Sequence, residues 1–139
     1  MKSNLRLVAD VKVFVSYLLF NDSTPGKAIA RGFRKGNFLL SEEVVHELIN
    51  VLTRKKFDTY LPVYERILFL DRLMNKSIYI VPNIQITACT DPKDNKYLEL
   101  AASGKADCII SGDKRHLLVM KSYEKIPILS PREFLEFDI

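Results

Sequence analysis

Apolar residues fall into two alternating patterns along the chain. From Leu5 to Val11 they cluster as in a short buried strand, which carries a carboxylate at Asp10 near its end. Cys108-Ile109-Ile110, within 107–111, is a continuous apolar run of the kind that is buried on both faces of a sheet, and Asp113 follows it closely. Asn37 to Leu40, Ser77 to Val81 and Ile126 to Leu129 supply further extended segments. Between these runs the spacing is helical. Val13 to Phe20 predicts a first helix, and after the turn-rich 21–24 a second begins at Pro25-Gly26. Ser41 caps a helix through Arg54 whose apolar face is Val44, Val45, Leu48, Val51 and Leu52, with Glu47 beside that face. Pro62 opens another, striped by Ile67, Leu70, Leu73 and Met74. Asp91-Pro92 is a cap followed by proline, leading a helix with Tyr97, Leu98, Leu100 and Ala101 inward up to Gly104. Leu117 to Met120 predicts a short helix, and Ser130 caps a last one through Pro131 and Phe134. Strands alternating with helices predict an α/β fold, with a central, mainly parallel sheet between helical layers.

Composition narrows the class without changing this picture. The 139 residues are 47% hydrophobic and 27% charged, which places the chain among ordinary globular proteins and outside the disordered regime. With no repeat, linker or low-complexity tract, residues 1–139 read as one domain. No segment approaches the roughly 20 apolar residues of a membrane span. Cys89 and Cys108 are too few for a disulfide framework and are not spaced as a zinc site, which points to a reducing cytoplasm. A net charge of +4 permits an anionic partner without requiring one.

The acids carry the chemistry. In an open parallel sheet ligands bind outside the carboxyl ends of strands, and Asp10 and Asp113 both fall at such ends. Asp94, in the first turn of its helix, faces the same edge if the crossover is right-handed, and Glu47 joins from the middle of the preceding helix. Carboxylates about 4 Å apart repel by roughly 4 kcal/mol at an effective dielectric near 20, so such a cluster must take up protons or a cation. All-oxygen donors favour Mg²⁺ or Mn²⁺ over zinc, and such an ion suits phosphodiester hydrolysis.

Asp10 with Val15-Ser16, the segment Ser41 to Leu52 with Glu47, the run Arg54-Lys55-Lys56-Phe57, the stretch Asp91-Pro92-Lys93-Asp94-Asn95 and its helix, and Ser111-Gly112-Asp113 together resemble the PIN-domain pattern over nearly the whole chain. The closest resemblance is to the branch of toxin components of toxin–antitoxin pairs. It implies a PIN fold, Mg²⁺-dependent endoribonuclease activity on RNA, an antitoxin partner and, as in many relatives, a homodimer. It also implies that Asp10, Glu47, Asp94 and Asp113 are the catalytic acids, with Asp10, Asp94 and Asp113 holding the metal.

One departure stands out: the family's usual Asp-Thr-Asn after the first strand is here Asp10-Val11-Lys12. If the strand continues through Lys12, its side chain shares a face with Asp10. It then either pairs with the carboxylates and weakens metal binding or holds a substrate phosphate as a point charge. Lys114 and Arg115, beside Asp113, are further phosphate candidates, and Arg54-Lys55-Lys56, Arg31, Arg34 and Lys35 are weaker ones. Phe57 and Tyr60 either stack bases or pack the rim. His46 and His116 read as isolated surface residues, Cys108 as a core residue, and Ser16 and Ser111 as hydrogen-bond partners of the acids. Two functions follow: a metal-dependent endoribonuclease, or a PIN-like module that lost catalysis through Val11 and Lys12 yet binds RNA or protein. An aspartyl-phosphate type of domain lacks the second acid it needs next to Asp10.

Overall fold

The computed structural model describes residues 4–137. Its strands are β1 (Leu5–Ala9), β2 (Gly36–Leu40), β3 (Ile78–Tyr79), β4 (Cys108–Ile110), β5 (Ser122–Tyr123) and β6 (Ile126–Leu129). They form one sheet in the order β3-β2-β1-β4-β6-β5, parallel except for the β5–β6 pair. Leu7, Val8 and Ala9 are all buried, as are Cys108, Ile109 and Ile110. Successive strand side chains point to opposite faces, so both faces of the sheet centre are covered. The helices that cover them are α1 (Val11–Leu19), α2 (Thr24–Lys35), α3 (Glu42–Leu52), α4 (Val63–Lys76), α5 (Asn95–Ser103) and α6 (Pro131–Glu136). This is the α/β architecture with a mainly parallel sheet that the alternating pattern predicts.

Local chemistry sets the boundaries. Ser23, Ser41 and Ser130 each accept a hydrogen bond from the backbone three residues on, starting α2, α3 and α6, and Ser130 with Glu133 completes a reciprocal capping box. Gly36 is required where β2 meets β1, since a Cβ there would lie 2.1 Å from the Leu5 carbonyl oxygen. The strand order reverses direction at β1: β2 and β3 build to one side, β4 and β6 to the other. That is the topological switch point at which open α/β sheets form their crevice. Ala9 pairs with Ile110, so the residues just past both strands emerge side by side.

Three sequence expectations change. The first strand stops at Ala9, because Asp10 adopts extended backbone and accepts from Val13 N–H at 3.1 Å, so Val11 and Lys12 open α1 instead of prolonging the strand. The segment 77–81 contributes only Ile78–Tyr79, at the sheet's edge. In α4, Ile67 and Met74 are exposed, and Arg66 joins Leu70 and Leu73 on the buried side. Arg66 donates to the carbonyls of Leu52 and Arg54 at 3.0 and 2.9 Å and pairs with Asp58, thereby fixing the end of α3 and the 3₁₀ turn Lys55–Phe57.

Candidate active site

The two strand ends at the switch point are tied together by Asp10. One carboxylate oxygen caps α1; the other accepts from Ser111 Oγ and from Gly112 N–H at 3.3 Å. Ser111 Oγ in turn accepts from Asp113 N–H at 3.0 Å. Asp10 is only 5% exposed, and burial raises its carboxyl above the usual range despite these three donors and the nearby charge of Lys12. Ionised Asp10 is therefore an electrostatic cost to the fold, offset in part by its three donors.

Asp94 and Asp113 form a second, more open pair. Asp94 lies in a 3₁₀ turn, Pro92–Asp94, that Asp91 caps by accepting from Lys93 N–H, and it precedes α5 instead of lying within its first turn. Asp113 accepts from the backbone N–H groups of Arg115 and His116 at 3.0 and 3.1 Å. The two side chains are close enough for a protonated Asp94 to hydrogen-bond Asp113. Burial first, and then that bond and the negative charge of Asp113, push the Asp94 carboxyl up to about 7. For Asp113 burial opposes ionisation, but the bond from Asp94, the two backbone donors and the nearby His116 outweigh it and hold the group below its ordinary range. The two groups thus titrate as a pair, with Asp94 pushed toward its neutral form and Asp113 toward its charged one.

Glu47 comes from the middle of α3 and is held at both oxygens. Tyr97 donates its hydroxyl to one, and Lys96 lies 3.2 Å from the other. The Tyr97 oxygen also accepts from Val11 N–H at 3.1 Å, so one phenol links α5, α3 and the start of α1. Burial, with the charges of Asp10 and Glu47, raises Tyr97 and keeps it a protonated donor. The sequence pattern places Tyr97 on an apolar stripe and gives no sign of this role, because its partners lie 50 and 86 residues away.

Two cavities meet at these acids. One, of about 780 Å³, is lined by Lys12, Glu47, Asp94, Asp113, Lys114, Arg115 and His116 among others. The other, of about 380 Å³, is lined by Asp10, Lys12, Glu47, Asp94 and Asp113 together with apolar residues of α1, α3 and the 55–57 turn. All four predicted acids therefore border one hollow, and the three predicted phosphate-binding residues, Lys12, Lys114 and Arg115, border its wider neighbour. Lys12 arrives there from the first turn of a helix and not, as expected, on the strand face of Asp10. His116 is not isolated: its Nδ1 hydrogen-bonds Thr90 Oγ1 at 2.7 Å and its charge acts on Asp113. Arg31 is removed from the phosphate candidates, since it donates to the Phe134 and Phe137 carbonyls at 2.8 and 3.0 Å. Ser111 bonds an acid as expected, Ser16 lines both cavities, His46 is exposed and Cys108 is fully buried.

The model that describes PIN domains matches residues 6–115, a span that contains every acid just described. The chain belongs to the PIN-domain family. It is also similar to an uncharacterized protein of Methanocaldococcus jannaschii, with 31% identity over an alignment covering 97% of this chain and 92% of that one. PIN domains are generally nucleases that use divalent metal ions, and the donor chemistry here fits such an ion: carboxylates line the hollow, and the Asp94–Asp113 pair already demands a positive charge, met by a proton. As the side chains stand, no three His, Cys, Asp or Glu among the described residues converge tightly enough to grip a cation. Asp10 and Glu47 are instead engaged by their own hydrogen-bond donors. Among the described residues no helix is long and apolar enough to cross a membrane.

Proposed function

We propose that this PIN domain is a metal-dependent endoribonuclease that hydrolyses RNA phosphodiesters, with Asp10, Glu47, Asp94 and Asp113 as its acidic site. The reading rests above all on the meeting of Asp10, Glu47, Asp94 and Asp113 around one hollow at the sheet's switch point. Mg²⁺ or Mn²⁺ would be held by Asp10, Asp94 and Asp113, and would supply Lewis acidity and a water of lowered pKa. The chain's own groups do the rest. Lys12, Lys114 and Arg115 draw the phosphates to the wider cavity as point charges and a planar fork. Ser111 and the Gly112 N–H hold Asp10 in one orientation, and Tyr97 and Lys96 do the same for Glu47. Asp94, near neutrality, can give its proton up as the site fills.

The wider context belongs to the same proposal: one domain, acting in the cytoplasm as the toxin of a toxin–antitoxin pair, restrained by a cognate antitoxin and assembled as a homodimer. The test is direct. Purified protein should cut single-stranded RNA with Mn²⁺ or Mg²⁺; cleavage that persists in excess EDTA would count against the metal. Growth arrest on expression, relieved by co-expressing the product of the neighbouring gene, tests the toxin role. A second reading, a binding module with weakened catalysis, draws on the absence of a three-carboxylate grip among the described residues and on Lys12 at the mouth. Retained RNA affinity with no heat of Mn²⁺ binding would favour it.

A further inference from the structure

The smaller cavity has a mixed lining. Beyond the acids, its lining combines apolar Val15, Leu19, Phe20, Val51 and Phe57 with the cations Lys12, Arg54 and Lys56. At about 380 Å³ it falls within the ~300–1,000 Å³ of small-ligand pockets, room for a flat ring and its sugar but not for a duplex. Five of its lining residues, Lys12, Ser16, Glu47, Asp94 and Asp113, also line the wider, basic cavity, so the acids form the partition between the two.

We infer that this cleft is a subsite for one unpaired nucleobase next to the scissile phosphate, a deepening that rests on the ribonuclease reading. The base packs on the apolar residues while its phosphate meets Arg54 and Lys56. The strand then crosses the acids into the cavity of Lys12, Lys114 and Arg115. Apolar and aromatic side chains together with cations are the combination that takes a base with its phosphate. The basic part of the lining is also built rather than incidental. Arg66 is fully buried in α4 and holds the Leu52 and Arg54 carbonyls, which sets the 3₁₀ turn from which Lys56 and Phe57 project. Lys56 Nζ sits 5.1 Å from the centre of the Phe57 ring, so the cation and the aromatic edge are placed as a unit. Phe20, half-exposed and also lining the cleft, is steadied edge-on by Tyr60 at 5.3 Å.

The experiment is an abasic scan. Fluorescence anisotropy follows a labelled RNA strand binding to the full chain in EDTA and again with Ca²⁺, each nucleotide in turn being replaced by an abasic residue. The expected result is a loss of about fivefold or more confined to one position, and disappearance of that loss in Phe20→Ala. Arg54→Ala and Lys56→Ala should each lower the slope of log affinity against log salt by about 0.7. Uniform tolerance of abasic residues, or equal affinity for a blunt duplex, overturns the subsite. Cleavage with Mn²⁺ is scored separately. A chain that cuts RNA but ignores missing bases keeps the nuclease and loses the cleft; one that senses a single base without cutting does the reverse; one that binds no RNA loses both.

Discussion

The acidic site has two halves that differ in how they are held. Asp10 is buried between the ends of β1 and β4, with three donors on its oxygens, and is part of the scaffold that joins those strands to α1. Asp94 and Asp113 lie on the turns before α5 and after β4, more open, and titrate as a pair. A carboxylate fixed by donors is oriented before any ligand arrives. A pair that titrates together is instead free to exchange a proton for a cation. The difference predicts that damage to the first half falls on both fold and function, and damage to the second on function alone.

The largest effect is expected from Asp113→Asn. It removes one charge of the pair and should lower RNA cleavage with Mn²⁺ by about a thousandfold, the order lost when one preorganised electrostatic group is taken from an active site. Its melting temperature should stay close to wild type, because the asparagine Oδ1 can still accept from the Arg115 and His116 N–H groups. Asp10→Ala is the contrasting case. It strips α1 of its cap and leaves Ser111 Oγ and Gly112 N–H without their acceptor, at about 2–3 kcal/mol, read as a shift of the urea midpoint together with lost cleavage. Equal stability in the two variants would remove the distinction between the halves.

Most of this division is visible in the sequence only in outline. The apolar runs ending near Asp10 and Asp113 and the Asp91-Pro92 cap locate the strand ends and the α5 turn, because those signals are local. What escapes depends on distant pairing. Tyr97 sits where an apolar stripe predicts it, and only the approach of α3 gives its hydroxyl a partner. His116 looks isolated until residue 90 comes alongside, and Arg66 looks like a surface residue of an amphipathic helix until the end of α3 supplies two carbonyls. The β-branched Val11 favours continuing the strand, yet the cap at Asp10 wins and places Lys12 on a helix. The hairpin β5–β6 is missed for a simpler reason, since Ser122–Tyr123 is too short to show a period.

The pair's proton gives a smaller, signed prediction. Asp94 is raised from 3.8 to about 7, so between those values the folded chain keeps a proton that the unfolded chain has released. Stability from this group is thus greatest below about pH 4 and is lost as pH rises to about 7. Asp113, lowered, works with the opposite sign and only in acid below its ordinary 3.8, so it does not mask the trend. Asp10, also raised by burial, adds a decline of the same sign, so melting in EDTA across this range should show the decline and Asp94→Asn should reduce it to the part Asp10 contributes. Mn²⁺ should reverse it, because a cation binds the ionised pair and its stabilisation grows with pH. A decline of equal size in Asp94→Asn would mean that the proton sits elsewhere.

The smallest effect is expected at the junction of the halves. Gly112 lies between Ser111, which belongs to the fixed half, and Asp113, which belongs to the open one, yet its backbone is not in the left-handed region and an added Cβ would meet nothing within 4 Å. Its contribution to Asp10 is made by the backbone N–H, which alanine retains. Gly112→Ala should therefore change stability by no more than about 0.5 kcal/mol in a denaturant titration. The open space beside it belongs to the wider cavity, so the methyl group has only a bound strand to meet. A rise in KM for RNA with kcat and stability unchanged would then say that this glycine keeps the cavity clear, and that the space between the two halves is where the substrate passes.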